Sequence, residues 1–473
     1  MKVTVSKVDE VFMHVDCDDG LAKDLHDFFS FKVPGAKFMP SYKNKWWDGK
    51  VYLFSIKTHK IYIGLLPYVD EFCRERGFEF EGVTDILGTK TREKVSQSWL
   101  ADLKLPFEPR DYQIDALNET IQYGRQLLLS PTASGKSLII YLLARYYDKK
   151  TIIIVPTTSL VEQMTKDFEE YGYDKDVCKI YSGQPVFPAD ITISTWQSFA
   201  KAPKEVLQGF DVVVGDEAHL FKAQTLKGIL EKMKTTAVRI GTTGTLDGSE
   251  VHRLQLEGLF GPVKKVITTK ELMDSGTIAN LNIECIILRH TKMKKMTYQD
   301  EMDYLVSNQQ RNFFITNLVG SLRGNTLVLF QYIEKHGQPL WEMFNPMVSR
   351  MNGTLHYVHG GTDTEDRESV RAIVDNPKKK NNVILASYGT FSTGVNIKKI
   401  DNVVFASPSK SRIRNLQSIG RGLRKADGKT EMRLFDISDD LQCNNHTLNH
   451  LKERINIYNE ENFTYEIRQF DLK

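Results

Sequence analysis

Ser130-Pro131-Thr132-Ala133-Ser134-Gly135-Lys136-Ser137 is the stretch on which the fold turns. It has the spacing of a phosphate-binding loop, G-x-x-x-x-G-K-[ST], with Ser130 in place of the first glycine. The apolar run Leu127-Leu128-Leu129 before it predicts a buried strand, and Leu138 to Tyr147 after it predicts a helix. In that setting, backbone N–H groups from Thr132, Ala133, Ser134 and Gly135 and the helix N-terminus face an anion. Lys136 would reach the β- and γ-phosphates of a nucleotide, and the Ser137 hydroxyl would ligate Mg²⁺. Pro131 fixes its own φ and removes one N–H, so the anion cradle starts after it. Taken alone, the loop implies a nucleotide and nothing more.

Outward from the loop, strands alternate with helices from about 106 to 278. Leu127–Leu129, Ile152–Val155, Ile191–Ser194, Val212–Val214 and Val238–Gly241 are short, largely β-branched runs. Continuous apolar strands of this kind predict a parallel sheet covered on both faces. A second alternating region runs from 279 to 440, with strands predicted at Leu327–Phe330, Leu355–Val358, Val383–Ala386 and Val403–Ala406. It has no phosphate loop of its own. The segment 441–473 predicts an amphipathic helix from Leu448 and a strand-like end.

Residues 1–105 differ: they are rich in aromatics, carry no nucleotide motif and end near Pro106 and Pro109. Tyr42 to Phe54 predicts a hairpin turning at Asp48-Gly49, and Pro67 to Arg76 a short helix stopped by Gly77. The Lys378-Lys379-Lys380 run is expected to be a solvated loop.

Composition bounds the function class. The chain of 473 residues is 41% hydrophobic and 26% charged, as in an ordinary globular protein of about three domains. A net charge of +3 means that nucleic-acid binding must come from local clusters. The five cysteines form no C-x-x-C pair, which argues against a structural zinc site or a disulfide framework and fits a reducing compartment. No secretory leader and no long apolar span is present. The expectation is a cytoplasmic protein with no membrane partner.

A second carboxylate motif follows Val212-Val213-Val214-Gly215: Asp216-Glu217-Ala218-His219. A carboxylate at the end of a parallel strand lies where such sheets bind ligands. Asp216 would hold Mg²⁺ and Glu217 would orient or deprotonate an attacking water.

With these two motifs the chain resembles the superfamily 2 helicases and translocases, and the family's remaining motifs follow in order. Arg110-Asp111-Tyr112-Gln113 is similar to the R-x-Y-Q motif, which assigns adenine reading to Arg110 and Gln113. Pro156-Thr157-Thr158-Ser159-Leu160 and Thr195-Trp196-Gln197-Ser198 match strand-contacting motifs, which implies that Thr157, Thr195 and Gln197 touch nucleic acid. Thr243-Gly244-Thr245 matches the motif that couples nucleotide state to strand binding. Phe330-Gln331-Tyr332 follows a strand, and Ser387-Tyr388-Gly389-Thr390 with Gly394-Val395-Asn396 resembles the fifth motif, implying contacts from Ser387 and Thr390. Gln417-Ser418-Ile419-Gly420-Arg421-Gly422-Leu423-Arg424 matches Q-x-x-G-R-x-x-R. The resemblance makes Gln417, Arg421 and Arg424 catalytic. The two arginines, three apart and expected on one helix face, become arginine fingers for the γ-phosphate.

The fold expected is α/β: two RecA-like parallel-sheet motor domains, 106–278 and 279–440, preceded by a small N-terminal α+β accessory domain, 1–105, and followed by the extension 441–473. The motifs look more like those of repair and restriction DNA translocases than of RNA-processing relatives. Phe28-Phe29-Ser30-Phe31 and Trp46-Trp47-Asp48-Gly49-Lys50 resemble the leading domain of the phage UvsW-type helicases, which remodel forks, Holliday junctions and R-loops in recombination, repair and replication. The resemblance implies ATP, Mg²⁺, branched DNA as partner and a monomer. Lys45, Trp46, Trp47 and Lys50 are candidate DNA contacts, since lysines neutralise phosphates and an exposed Trp stacks on an unpaired base. The alternative reading makes both tryptophans core and the lysines edge-strand protection. Lys292, Lys294 and Lys295 are a further candidate phosphate patch or a solvated run. Two rival functions are a duplex translocase that does not separate strands and an RNA helicase.

Overall fold

The computed structural model describes residues 2–82, 93–181, 187, 189–351, 353–376, 381–390, 397–409, 411–426 and 428–472. Gly394-Val395-Asn396 and Lys378-Lys379-Lys380 lie outside the described residues. The chain divides into two compact units: Met1–Ser130 with Gly135–Val266, and Ile267–Lys473 with Pro131–Ser134.

The first unit contains a sheet of seven described strands, all parallel. Its spatial order is Val263–Lys265, Arg125–Leu129, Val238–Thr243, Val212–Asp216, Thr151–Val155, Ile191–Thr195, Val177–Ile180. The central strands are buried on both faces, as their unbroken apolar runs require. Two of the strands, Val177–Ile180 and Val263–Lys265, are short edges that the sequence pattern does not announce.

The N-terminal region is α+β, as expected. A four-stranded sheet runs in the order Lys60–Tyr62, Phe12–Asp16, Lys2–Lys7, Glu79–Gly82, with helices Asp19–Phe28 and Leu66–Glu75. Pro67 opens the second helix and Gly77, with φ +71°, turns the chain after it. The hairpin expected over Tyr42–Phe54 does not form. Pro40 instead starts a short helix, Pro40–Lys43, and Gly49, with φ +81°, folds the chain back so that its carbonyl accepts from Val33 N at 2.8 Å. Lys50–Tyr52 then pairs antiparallel with Ser30–Lys32.

This region is built into the first unit rather than tethered to it. Val3, Val5, Met13, Leu25, Phe29, Ile63 and Phe72 belong to the same apolar core as Leu127, Ile152, Val213, Phe221 and Phe260. Tyr62 Oη donates to Glu231 Oε1 and Tyr68 Oη to Glu257 Oε2, both at 2.5 Å. Burial raises both phenols, which keeps them protonated as donors. Glu10 pairs with the buried Arg125 of the motor sheet. At Gly64 any Cβ would collide with the Glu257 and Gly258 carbonyls, so the two parts meet at backbone distance.

The second unit has its own sheet of seven described parallel strands, in the order Leu355–Val358, Val383–Ser387, Thr326–Phe330, Asn402–Phe405, Glu431–Asp440, Asn280–Arg289, Tyr465–Asp471. The ten-residue strands Asn280–Arg289 and Glu431–Asp440 escape a search for apolar runs because polar residues interrupt them. The last segment supplies the helix His446–Glu460 and the edge strand Tyr465–Asp471, which pairs with Asn280–Arg289.

Candidate nucleotide site and nucleic-acid contacts

In the first unit the parallel register brings the motif residues to one rim. Ser130 follows Leu129, Asp216 pairs with Thr242, and Thr195 pairs with Val155, just before Thr157. All lie at the carboxyl ends of their strands, where parallel sheets take ligands.

The loop itself explains its departure from the glycine pattern. Ser130 is buried, its N–H donates to the Thr243 carbonyl at 2.8 Å, and its own carbonyl accepts from Lys136 Nζ at 3.2 Å. The left-handed positions fall instead at Ala133, φ +68°, and Gly135, φ +80°. No glycine is therefore needed at 130. Ser134 Oγ donates to the Pro131 carbonyl at 2.6 Å, Thr132 is half-buried, and Gly135 caps the helix Lys136–Tyr147. Gln113 is buried against that glycine: a Cβ at Gly135 would strike its Nε2, and its Oε1 accepts from Arg110 N at 2.9 Å. Arg110 Nη1 donates to Tyr112 Oη at 2.9 Å. Arg110 and Gln113 thus sit at the start of the helix Asp111–Tyr123 beside the loop.

Asp216 ends its strand and is buried, accepting from Thr242 Oγ1 at 2.8 Å. Burial pushes its carboxyl above the usual carboxylate range and neighbouring Glu217 adds to this, while Lys136 and the threonine pull the other way. A bound cation relieves this kind of desolvated negative charge. The donors at hand, one carboxylate and the Ser137 hydroxyl, are hard oxygens suited to Mg²⁺. Among the described residues there is no group of three or more His, Cys, Asp or Glu able to cage a metal. Glu217, with φ +50°, turns the chain out of the strand. His219 Nδ1 lies 3.2 Å from Glu217 Oε2 and 3.0 Å from Thr243 Oγ1, and Thr243 Oγ1 donates to the Thr245 carbonyl at 3.1 Å. This chain of contacts links Asp216–His219 to Thr243–Thr245.

One contact had no sequence signal. Ser137 Oγ lies 2.9 Å from the hydroxyl of Tyr171, which is 34 residues away, and Phe107 stacks edge-on against Tyr171.

Of the strand-contacting candidates in this unit, Thr157 caps the helix Thr158–Glu170, Thr195 is buried with its hydroxyl on Ser198 at 3.1 Å, and Gln197 is exposed. In the N-terminal region Trp46 is 81% exposed, while Trp47 is half-buried with Nε1 donating to the Lys50 carbonyl at 2.6 Å. Neither lies on a strand, so the edge-strand reading of this stretch does not apply to the two tryptophans. Lys45, with φ +58°, sits in the same loop, and Lys50 begins the strand that closes it.

In the second unit, Ser387 Oγ and Thr390 Oγ1 are buried and 2.8 Å apart, turned to each other. Gln417 and Arg421 lie on the helix Arg412–Gly422, but Arg424 does not. The helix stops at Leu423, whose carbonyl accepts from Ala279 N at 2.9 Å, so the two arginines do not share one helix face. Lys292, Lys294 and Lys295 are exposed in the loop after Asn280–Arg289.

Two parallel sheets, one with a phosphate loop and an Asp-Glu pair at its rim, define a RecA-like motor. Comparison with known proteins agrees. Residues 106–248 match the family model for the res subunit of type III restriction enzymes, 309–426 that of the helicase conserved C-terminal domain, and 2–81 that of the N-terminal domain of DNA helicase UvsW. The chain is 32% identical to the ATP-dependent DNA helicase uvsW of Enterobacteria phage T4, over 100% of both chains. The crystal structure of T4 UvsW aligns over 100% of both chains with a TM-score of 0.53 and 29% identity. A DNA 3'-5' translocase, XPB2 of Sulfurisphaera tokodaii, is 25% identical over 41% of this chain and 44% of its own length. The type ISP restriction-modification enzyme LlaBIII shares the fold, with a TM-score of 0.59 at 16% identity, over 84% of this chain and 34% of that one. The chain belongs to the UvsW family of superfamily 2 helicases: it is an ATP-hydrolysing DNA helicase. No described helix is long and apolar enough to cross a membrane.

Proposed function

We propose that this helicase works on branched DNA, regressing forks, migrating four-way junctions and dissociating R-loops in recombination, repair and replication. The observation that carries the reading is the Val33–Lys50 loop. It is ordered by backbone bonds, Trp46 N to the Ser41 carbonyl at 2.9 Å among them; it holds Trp46 and Phe38 in solvent, with Lys37 over the Phe38 ring at 5.1 Å, on a stretch that also carries Lys43, Lys45 and Lys50. An exposed aromatic fixed among cations suits an unpaired base next to phosphates. Similarity to T4 uvsW supports the same reading.

In the reaction, Lys136 neutralises phosphate charge and Arg110 and Gln113 read the adenine. Ser137 and Asp216 hold Mg²⁺, which supplies Lewis-acid stabilisation of the transferring phosphoryl group when bound. Glu217 takes the proton of the attacking water. Arg421 and Arg424 act on γ-phosphate charge that develops in the transition state, with Gln417 beside them. Thr157, Thr195, Gln197, Ser387 and Thr390 track the strand backbone.

The test is ATP turnover and strand displacement measured with single-stranded, duplex, forked and four-way DNA and with RNA. Forks and junctions should stimulate most and be unwound. Turnover without displacement on any branched substrate makes the protein a duplex translocase, and preference for RNA overturns the DNA-branch reading. Glu217→Gln should bind ATP and fail to turn it over, and Arg424→Ala should lower kcat about a hundredfold or more.

A further inference from the structure

We propose that the C-terminal helix His446–Glu460, with Glu461 at its end, is a brace that positions Arg421. The inference rests on the reading of Arg421 as a γ-phosphate finger. Arg421 stands in the last turn of the 11-residue helix Arg412–Gly422. The first residue of that helix, Arg412, is clasped by two carboxylates of the C-terminal segment: Nη1 pairs with Glu460, and Nη2 donates to Glu461 Oε1 at 2.8 Å. A cation in a first helical turn is opposed by the helix dipole, so Arg412 is poorly placed without these partners. The clasp is set in the one place where it offsets that penalty.

A second tie lies beneath it. Arg454 of the C-terminal helix is fully buried. Its Nη1 donates to the Ser409 carbonyl at 2.9 Å, its Nε to Asp436 Oδ2 at 2.8 Å and its Nη2 to Ser438 Oγ at 2.7 Å. The Ser409 carbonyl also accepts from Asn415 Nδ2 at 3.2 Å, inside the first turns of the Arg421 helix. Arg454 therefore joins three elements: its own helix, the strand Glu431–Asp440, and the residues that lead into the Arg421 helix. At the far end, the Gly422 carbonyl accepts from the buried Lys429 ammonium.

The mechanical consequence is large. Nine residues separate Arg412 from Arg421, about 14 Å at 1.5 Å per residue. A pivot of about 5° at Arg412 then moves Arg421 by about 1 Å over that length, a displacement that costs up to about a hundredfold in rate when a catalytic group is misplaced. The brace residues are positioning residues; they touch no substrate.

The test uses the full chain and surface-accessible members of the clasp. Arg412→Ala and the pair Glu460→Ala/Glu461→Ala should each lower DNA-stimulated kcat about tenfold while KM for ATP, and affinity for a fluorescent ATP analogue, stay within about twofold. The charge exchange Arg412→Glu with Glu460→Arg and Glu461→Arg should restore kcat in part. Arg421→Ala is run alongside. If it turns over ATP normally, the finger reading fails. If it is inactive but the clasp variants keep wild-type kcat, the brace is wrong. Parallel loss of thermal stability and of ATP-analogue binding, with no rescue by exchange, also overturns it, since that is the mark of a structural contact only.

Discussion

His336 is a residue whose burial has a measurable consequence. It follows Phe330-Gln331-Tyr332, is fully buried, and places Nδ1 2.9 Å from Ser407 Oγ. Burial, reinforced by Arg311, holds its imidazole down to about 3. An unfolded chain protonates a histidine near pH 6.5, so between the two values the unfolded state binds the extra proton. Stability then rises with pH across this window and falls with acid, by about 1 kcal/mol per pH unit from this residue. His336→Gln, which still meets Ser407, should flatten the dependence of urea-unfolding stability on pH between about 6 and 4. An unchanged slope would assign the acid sensitivity to other groups. Ala133, at φ +68° in the phosphate loop, is a second residue under a local constraint. A non-glycine there carries about 1 kcal/mol of strain or more, held in place by its surroundings.

At the scale of an element, the Val33–Lys50 loop separates two tryptophans that sequence pattern cannot. Trp47 is half-buried and donates to the Lys50 carbonyl, whereas Trp46 stands in solvent. Trp46→Ala should leave thermal unfolding unchanged and weaken fork binding by about 1–3 kcal/mol, the scale of one base stack. Trp47→Ala should instead cost about 1–2 kcal/mol of stability from lost packing and a lost hydrogen bond. Fluorescence anisotropy on forked DNA, set beside melting curves, reads both. If Trp46→Ala binds forks normally, the loop is not the branch contact.

For the whole molecule, the decisive fact is that residues 1–82 and the first motor sheet share one core. Removing residues 1–105 should therefore leave Leu127, Phe221 and Phe260 facing water, and residues 106–473 should melt earlier or aggregate. A truncated protein with wild-type melting and single-strand-stimulated ATPase would show that the shared core contributes nothing to folding. Gly64→Ala is a subtler probe of the same junction. Its methyl meets the carbonyls of Glu257 and Gly258, so a loss of about 3 kcal/mol or more is expected.

Much of this was legible in the sequence for a physical reason. Strands such as Thr151–Val155 and Val212–Asp216 are covered on both faces, so they read as unbroken apolar runs, and the phosphate loop and Asp216-Glu217 follow such runs directly. What escaped were elements whose burial depends on distant partners. Glu431–Asp440 carries Asp436, Ser438 and Asp439 inside the core, each satisfied from afar. Asp439 meets Arg311 and His290, while Asp436 meets Arg454 and Tyr458. A buried carboxylate looks like a surface residue until its cation is found. The loop at Trp46 escaped for a related reason: Asp48-Gly49 signals a turn, but only the strand Ser30–Lys32 decides what the turn is paired with. The sequence by itself determined the α/β motor, its nucleotide loop and its acid pair, because local spacing and apolar runs specify them. Tertiary structure alone decided that the N-terminal region is part of the first motor unit, and that the Arg421 helix is gripped by the last helix of the chain. Both depend on contacts between residues far apart in sequence, which no local pattern records.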